Sequence, residues 1–365
     1  MPLSLEHLRR YAIARSLFKP TTLLRAIDKL GFVQADPIRA PARAQDLTLR
    51  HRVRDYRAGD LERRYPKLAL EEDFFVNYGF LPRAHHALMH PRTSAHKWTP
   101  TRMRQADAVL AFVRQHRSVH PREVDAHFSH GKVKNWFGGS SNASTQLLDA
   151  MHYRGLLRVA RRDSGTRVYA VREVGEKPAP ADIDARLDAL VDVIVRKYAP
   201  MPANSFSQLV MRLRAAAPQW EKRRRSALSR ARQRLGHEKV AGVEWLWPAD
   251  ELPRSRSWRL DEQVRLLTPF DPVVWDRRRF ELFWGWAYRF EAYTPAPKRK
   301  LGYYALPLLW QDRVIGWGNL SMAAGTLRAS FGFVDGGAPQ SDFFKSGLEA
   351  EIERMRTFLS NESTG

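Results

Sequence analysis

Gln34 and Asp36 are the two side chains whose types and spacing could do chemistry. They lie in the segment Phe32-Val33-Gln34-Ala35-Asp36-Pro37, whose composition predicts an extended chain. Side chains two residues apart in an extended segment point to the same face. A carboxylate beside an amide can hold a water molecule and orient it toward an electrophilic carbon. The spacing leaves an alternative open, because Asp before Pro is also a common turn-forming pair.

Three histidines raise the question of a metal site. His85, His86 and His90 lie close together, but no acidic partner or third kind of ligand is near them in the sequence. The chain contains no cysteine, which excludes disulfides, thiol nucleophiles, Cys-ligated zinc and iron–sulfur clusters. We therefore predict neither a metal nor a cofactor.

The charge of the chain indicates a polyanionic partner. Its 61 basic residues exceed its 39 acidic ones, and the formal net charge is +22. Basic residues concentrate in several stretches, and a charge run can also be an ordinary solvated surface. We favour contact with DNA phosphates, and the predicted contact residues are Arg39, Arg43, Arg50, Arg223, Arg224, Arg225, Arg277, Lys298 and Arg299.

Helix–helix–helix–hairpin units recur along the chain. In the clearest unit, which is the second along the chain, helices are predicted over about 104–116, 121–128 and 141–154. A hairpin follows that turns at Asp163-Ser164-Gly165. Three helices and a basic hairpin are typical of a winged helix-turn-helix. A third unit has predicted helices over about 182–198, 205–214 and 218–235, followed by a strand over 240–247.

The last part of the chain has a different pattern. From about 264 to 334, short segments rich in Tyr, Trp and Phe alternate with Gly and Pro, which predicts strands, and a closing helix is predicted over 342–359. Phe74, Phe75, Tyr303 and Tyr304 are expected to fill cores, as aromatic residues usually do.

The predicted fold class is α+β and mainly α, with three winged-helix units in tandem and a carboxyl-terminal β-rich domain. No run of 18 apolar residues is present, so no membrane span is expected. We predict a cytoplasmic, nucleoid-associated monomer. The predicted domain ranges are 1–100, 101–176, 181–255 and 260–365.

Several motifs resemble the YcaQ/AlkZ family of bacterial DNA glycosylases. Leu30-Gly31-Phe32-Val33-Gln34-Ala35-Asp36 is similar to the family's Gln-x-Asp motif. A second group of motifs covers the carboxyl-terminal part, and the resemblance extends over nearly the whole chain. These motifs are Pro269-Phe270-Asp271, Trp275-Asp276-Arg277, Tyr288-Arg289, Glu291-Ala292-Tyr293, Lys298-Arg299 and Gly302-Tyr303-Tyr304-Ala305-Leu306-Pro307.

The resemblance implies an activity and roles for individual residues. It implies a DNA repair glycosylase that hydrolyses the N-glycosidic bond of N7-alkylated purines in double-stranded DNA, with Gln34 and Asp36 as the catalytic pair. Family members also act on interstrand crosslinks. Asn77 and Tyr78 stand where many members carry His and Glu, which places them near the lesion and predicts a different substrate choice.

Two other functions fit the charge and the repeated units. One is a winged-helix transcription regulator, although regulators commonly dimerise to read paired half-sites. The other is a damage-binding protein without catalysis, in which Gln34 and Asp36 are structural.

Overall fold

The structure is a computed structural model that describes residues 2–93, 97–128, 131–134, 140–173, 179 and 181–360. It is a mixed α+β protein with several small antiparallel sheets. No helix among these residues is long and apolar enough to cross a lipid bilayer. Most of the Pro-rich segment Lys177–Pro180 lies outside the described residues.

The amino-terminal elements follow their capping signals. Ser4 and His7 form a capping box at the start of the first helix, and the second helix ends at Gly31, whose φ is 68°. A left-handed residue after the last helical turn favours glycine. The elements are α1 (Leu5–Ser16), α2 (Leu23–Leu30), β1 (Val33–Gln34), α3 (Ala44–Leu49), α4 (Asp60–Arg64), a 3-10 turn (Tyr65–Lys67), β2 (Leu70–Phe74), β3 (Tyr78–Pro82) and α5 (Arg83–Met89).

The stretch with the clearest sequence pattern contains the elements predicted for it. Its three helices are present and its hairpin turns at Ser164 and Gly165, both with positive φ. Strand β4 pairs with β8 and β8 with β7, all antiparallel. The elements are α6 (Pro100–His116), β4 (Ser118–Val119), α7 (Pro121–Phe128), β5 (Lys132–Lys134), β6 (Ser140–Asn142), α8 (Ala143–Tyr153), β7 (Leu157–Asp163) and β8 (Thr166–Val171).

The next stretch repeats the order of helices followed by a hairpin. The strand predicted over 240–247 is a hairpin of two strands, because Ala241 and Gly242 adopt positive φ and turn the chain. Its second strand also pairs with β9. The elements are α9 (Asp182–Tyr198), β9 (Met201–Pro202), α10 (Ala203–Arg212), a 3-10 helix (Pro218–Arg223), α11 (Arg224–Arg234), β10 (Gly236–Val240) and β11 (Val243–Trp247).

The carboxyl-terminal part contains a four-stranded antiparallel sheet and the predicted closing helix. It also contains a helix that the sequence pattern did not predict, over Arg277–Trp284, capped by the Asp276 side chain. The elements are β12 (Arg265–Leu266), α12 (Arg277–Trp284), a 3-10 turn (Ala296–Lys298), β13 (Leu306–Trp310), β14 (Arg313–Ala323), β15 (Thr326–Phe333) and α13 (Asp342–Leu359).

The chain forms two compact units, each made of separate stretches. The first unit comprises Met1–Leu61, Val191–Val210 and Leu228–Gly365, and the second comprises Glu62–Leu190 and Met211–Ala227. The four sequential ranges given above stay a prediction. In the first unit, Ile13 of α1 packs in one hydrophobic core with Phe280 of α12 and Leu309 of β13. The first helix and the carboxyl-terminal part of the chain therefore share one core.

Candidate active site

Gln34 is held in a defined orientation at the end of β1. The side chain is buried, with 9% of its surface exposed, and its Oε1 accepts a hydrogen bond from the indole Nε1 of Trp275 at 3.1 Å. An indole nitrogen can only donate, so the carbonyl end of the amide faces Trp275 and the NH2 end is directed elsewhere. Gln34 therefore presents its donor end on the side away from Trp275.

Asp36 lies beyond the strand, where the chain turns. Its Oδ1 accepts a hydrogen bond from the backbone N–H of Ile38 at 2.9 Å, and its own N–H donates to Oε1 of Gln45 at 3.3 Å. Strand β1 ends at Gln34 and does not reach Asp36, so the expectation that both side chains project to the same face stays a prediction. The turn-forming role that Asp-Pro suggested is present, and it leaves the second carboxylate oxygen, Oδ2, outside this turn.

The Asp36 carboxylate is half-buried and lacks a close cation. Within the described ranges, no Lys, Arg or His nitrogen lies within 4.0 Å of it. Burial raises the pKa of Asp36 above its ordinary value, and the hydrogen bond from the Ile38 N–H opposes that shift. Burial disfavours the charged form of a carboxyl group, whereas donors to the carboxylate favour it.

Interior polar contacts fix the chain on both sides of this pair. The buried Lys197 ammonium donates to the carbonyl of Phe32, just before β1. Burial, reinforced by the charge of Arg52 and opposed by Asp271, lowers the pKa of Lys197 to about 7. Arg52 and Asp271 form a bidentate ion pair of 2.7 and 3.0 Å with no exposed surface. The loop that carries Trp275 begins at Asp271.

No sequence pattern marks Lys197 or Gln45 as part of the site, and Trp275 stands out only as part of the motif Trp275-Asp276-Arg277. Their contacts with Phe32, Asp36 and Gln34 span 165, 9 and 241 residues. No periodicity or short motif carries information over the two longer separations. The Gln45–Asp36 contact is local, but a glutamine in a short helix gives no signal of its own.

A cleft of about 710 Å³ lies beside the loop that follows Asp36. Its lining includes Arg39, Tyr303, Tyr304 and Asn319. The Tyr304 hydroxyl is hydrogen-bonded to Thr268 at 3.3 Å, and burial together with the charge of Asp36 raises its pKa. Tyr304 is buried as expected, but the prediction that Tyr303 is a core residue is wrong, because 44% of its surface is exposed.

Two of the predicted DNA contacts are interior residues, so those predictions are wrong. Arg50 is 4% exposed at its side chain, forms an ion pair with Glu351 and donates to the carbonyl of Leu266 at 2.9 Å. Arg224 is 3% exposed at its side chain and is paired with Glu221. Each guanidinium group meets its local acceptors through Nη2 and is too buried to face DNA.

The other predicted DNA contacts stay predictions. In the first unit Arg39, Arg277 and Lys298 are exposed, while Arg43 and Arg299 are half-buried. In the second unit Arg223 and Arg225 are exposed, and Arg223 is paired with Asp184 at 3.2 Å.

Asn77 and Tyr78 lie at the turn of the β2–β3 hairpin in the second unit. The Asn77 carbonyl accepts from the Phe75 N–H at 2.8 Å, and the Tyr78 ring lies 4.3 Å from the Arg167 guanidinium. Burial raises the pKa of Tyr78 well above its ordinary value. Their placement near a lesion stays a prediction.

Phe75 is buried as predicted, whereas Phe74, predicted to be a core residue, is 38% exposed.

The acidic partner that the histidines lacked in the sequence is Asp73. The Nε2 atoms of His86 and His90 lie 3.0 and 2.9 Å from the same Asp73 oxygen, and ligand atoms of the three residues fall within 4.8 Å of one another. Closeness in the sequence did not reveal this partner, because Asp73 is 13 residues from His86 and the fold brings the two together. Arg92 also donates to both oxygens of Asp73. A cation at this point would have to displace the guanidinium, so the arrangement favours a buried, fully hydrogen-bonded carboxylate.

The fold and the site define a mixed α+β protein with a half-buried carboxylate, an oriented amide and several exposed arginine and lysine side chains. Residues 27–358 match the family model described as DNA glycosylase AlkZ-like, so the chain belongs to the AlkZ-like DNA glycosylase family. This membership confirms the resemblance found in the sequence and implies that the chain binds DNA.

A solved structure similar to this chain is that of the Streptomyces sahachiroi DNA glycosylase AlkZ. The two share 16% sequence identity, with a TM-score of 0.61 over 98% of this chain and 97% of the other. At this identity the similarity establishes a shared fold.

Proposed function

We propose that this protein hydrolyses the N-glycosidic bond of N7-alkylated purines in double-stranded DNA, with Asp36 and Gln34 as its catalytic residues. The observation that carries the proposal is the state of Asp36. Its carboxylate is half-buried, has a raised pKa and has no cation within 4.0 Å among the residues described. Such a group keeps its full negative charge available for a cation that forms during a reaction.

The chemistry needs little beyond this pair. A purine alkylated at N7 is cationic, so its glycosidic bond breaks with the bonding electrons leaving on a neutral base and no general acid is required. Positive charge then develops on the deoxyribose, where the ionised Asp36 stabilises it. Water attacks C1′ and transfers its proton to Asp36. Gln34 donates from its NH2 group to the water oxygen and thereby holds it in line.

We further propose that the protein is a monomer with three tandem winged-helix units and the carboxyl-terminal sheet. Two stretches, α6–β8 and α9–β11, each consist of helices followed by a hairpin, and this supports the proposal. Several units in one chain supply an extended basic surface without dimerisation. A transcription regulator would instead read paired half-sites through a dimer.

One assay separates the proposed functions. The protein is incubated with a duplex that carries N7-methylguanine, the free base is quantified, and abasic sites are cleaved with alkali. A glycosylase releases 7-methylguanine and produces breaks at the methylated positions. Sequence-dependent footprints on undamaged DNA without base release would establish a regulator. Tight binding to methylated DNA without release would establish a damage-binding protein.

Trp275 is expected to act through Gln34. Replacing Trp275 with Phe removes the hydrogen bond to Oε1 while keeping an aromatic ring near Tyr198, whose ring centroid lies 5.0 Å away. A hydrogen bond contributes about 0.5–1.5 kcal/mol, so single-turnover release should slow by about 2- to 10-fold at unchanged DNA affinity. Trp258→Phe is the matched control, since its indole donates to the Leu252 carbonyl. Equal rates in both variants would contradict the positioning role.

Arg225 is expected to contact DNA phosphate, unlike its neighbour Arg224. Arg225 is exposed, and no ion pair is found for it in the described parts of the chain. Each lost phosphate contact reduces the slope of log affinity against log salt by about 0.9. Arg225→Ala should therefore flatten the slope by about that amount, measured by fluorescence anisotropy. Arg356→Ala, an exposed arginine paired with Glu353, is the control. A slope unchanged in Arg225→Ala would place this arginine away from DNA.

A further inference from the structure

Two tyrosines near Asp36 are exposed in a way that core packing does not explain. Tyr293 is 79% exposed and Tyr303 is 44% exposed, and both belong to the segment between α12 and β13. Large aromatic side chains usually bury most of their surface, so a pair of exposed rings indicates a binding role. Tyr303 also lines the cleft described above, as does Arg39.

The segment that carries these rings is closed by hydrogen bonds. The Glu291 carboxylate accepts from the backbone N–H groups of Lys300, Leu301 and Gly302 at 2.7–3.2 Å. Asn319 of β14 donates to the Leu301 carbonyl at 2.8 Å. Gly302 has a φ of 124°, and a Cβ there would lie 2.3 Å from the Asn319 side chain. The loop is therefore closed by its own contacts, and it carries both tyrosines.

The surroundings of the rings are suited to a cation. Phe290 packs edge-on against Tyr293 and Tyr304, with centroid distances of 5.9 and 5.0 Å. The Arg299 guanidinium lies 5.0 Å from the Tyr303 ring, which shows that this ring already accepts a positive group. Burial and then the negative charge of Asp36 raise the pKa of Tyr293. Arg39, three residues after Asp36, and Tyr303 line the same cleft, so this ring faces the loop that follows Asp36.

We propose that the Tyr293 and Tyr303 rings hold the alkylated base by cation–π stacking, so that the site selects cationic lesions over neutral lesions of the same shape. The proposal rests on the proposed function, since an N7-alkylated purine is the cationic base that this function supplies. The face of an aromatic ring attracts a cation, whereas a neutral base gains only ordinary stacking. Each ring is expected to contribute about 2- to 30-fold in affinity for the charged base.

The test compares two duplexes that the protein cannot hydrolyse. One carries N7-methylguanine on a 2′-fluoroarabino sugar, and the other carries 7-methyl-7-deazaguanine, which has the same shape without the charge. Affinities are measured by fluorescence anisotropy for the wild type and for Tyr293→Leu, Tyr303→Leu and Tyr293→Phe. Phe343→Leu, an exposed aromatic residue on α13, is the matched control. Thermal unfolding confirms that each variant is folded.

The leucine variants should weaken binding of the cationic duplex by about 2- to 30-fold and leave the neutral duplex nearly unchanged. Tyr293→Phe should keep most of the preference, because its ring remains. Equal losses on both duplexes, or no loss on either, would overturn the proposal. Release of 7-methylguanine by the wild type is measured in parallel. Release with no charge preference removes this inference alone, whereas absence of release removes the proposed function.

Discussion

Replacing Asp36 with Asn is expected to slow the release of 7-methylguanine by about 10²- to 10⁴-fold, which is the range found when a positioned catalytic group is lost. The amide has nearly the same shape but no negative charge, so it neither stabilises the cationic sugar nor accepts the proton from water. Affinity for methylated DNA should be unchanged or improved. Single-turnover release and binding to an unreactive duplex are the two measurements.

The same substitution has a built-in structural control. The side-chain oxygen of Asn can still accept the Ile38 N–H that now donates to Asp36, so the turn is kept and the thermal unfolding temperature should not change. Asp36→Ala loses both the charge and the turn contact, and it should lower activity and stability together. Undiminished release by Asp36→Asn would exclude Asp36 as a catalytic residue.

The pH dependence of the rate follows from the same side chain. Only ionised Asp36 is active in the proposed mechanism, and its pKa is raised by burial. Activity should therefore fall as the pH drops through a value above about 3.9, the ordinary pKa of an aspartic acid. A paired arginine would hold the pKa low, but it would also neutralise the charge that the sugar cation requires. A raised pKa and a free carboxylate are thus two consequences of one arrangement.

The parts of the fold that depend on local signals were predictable. The unit from α6 to β8 is marked by Pro121 at the start of a helix and by Ser164-Gly165 in the hairpin turn, and both signals act within a few residues. Helix α12 was missed because it is only eight residues long and rich in Phe and Trp. Aromatic residues favour strands on average, so tertiary packing decided its structure.

The candidate site was predictable in its residue types but not in its geometry. The sequence places Gln34 two residues before Asp36, yet only the fold shows that the strand ends between them. Arg50 illustrates the same limit for charges. A basic stretch in the sequence does not distinguish a surface arginine from an interior one, and its partner Glu351 is 301 residues away.

Replacing Asp271 with Asn is expected to destabilise the protein by about 3–5 kcal/mol, because it leaves the Arg52 guanidinium buried without a counter-charge. Both side chains of this pair have no exposed surface, and the hydrogen bonds between them are 2.7 and 3.0 Å long. Urea unfolding at neutral pH measures the loss. Glu353→Gln, which breaks the exposed pair with Arg356, should cost less than about 1 kcal/mol.

A double-mutant cycle tests whether the loss comes from the pair itself. Arg52 also donates to the carbonyls of Ser16 and Thr48, so Arg52→Met leaves those acceptors unsatisfied and is destabilising on its own. Adding Asp271→Asn to Arg52→Met should cost far less than Asp271→Asn costs alone, because no buried charge remains uncompensated. Strictly additive losses would show that the two side chains are not coupled. Since the loop from Asp271 carries Trp275, the single Asp271 variant should also lose activity at temperatures where it remains folded.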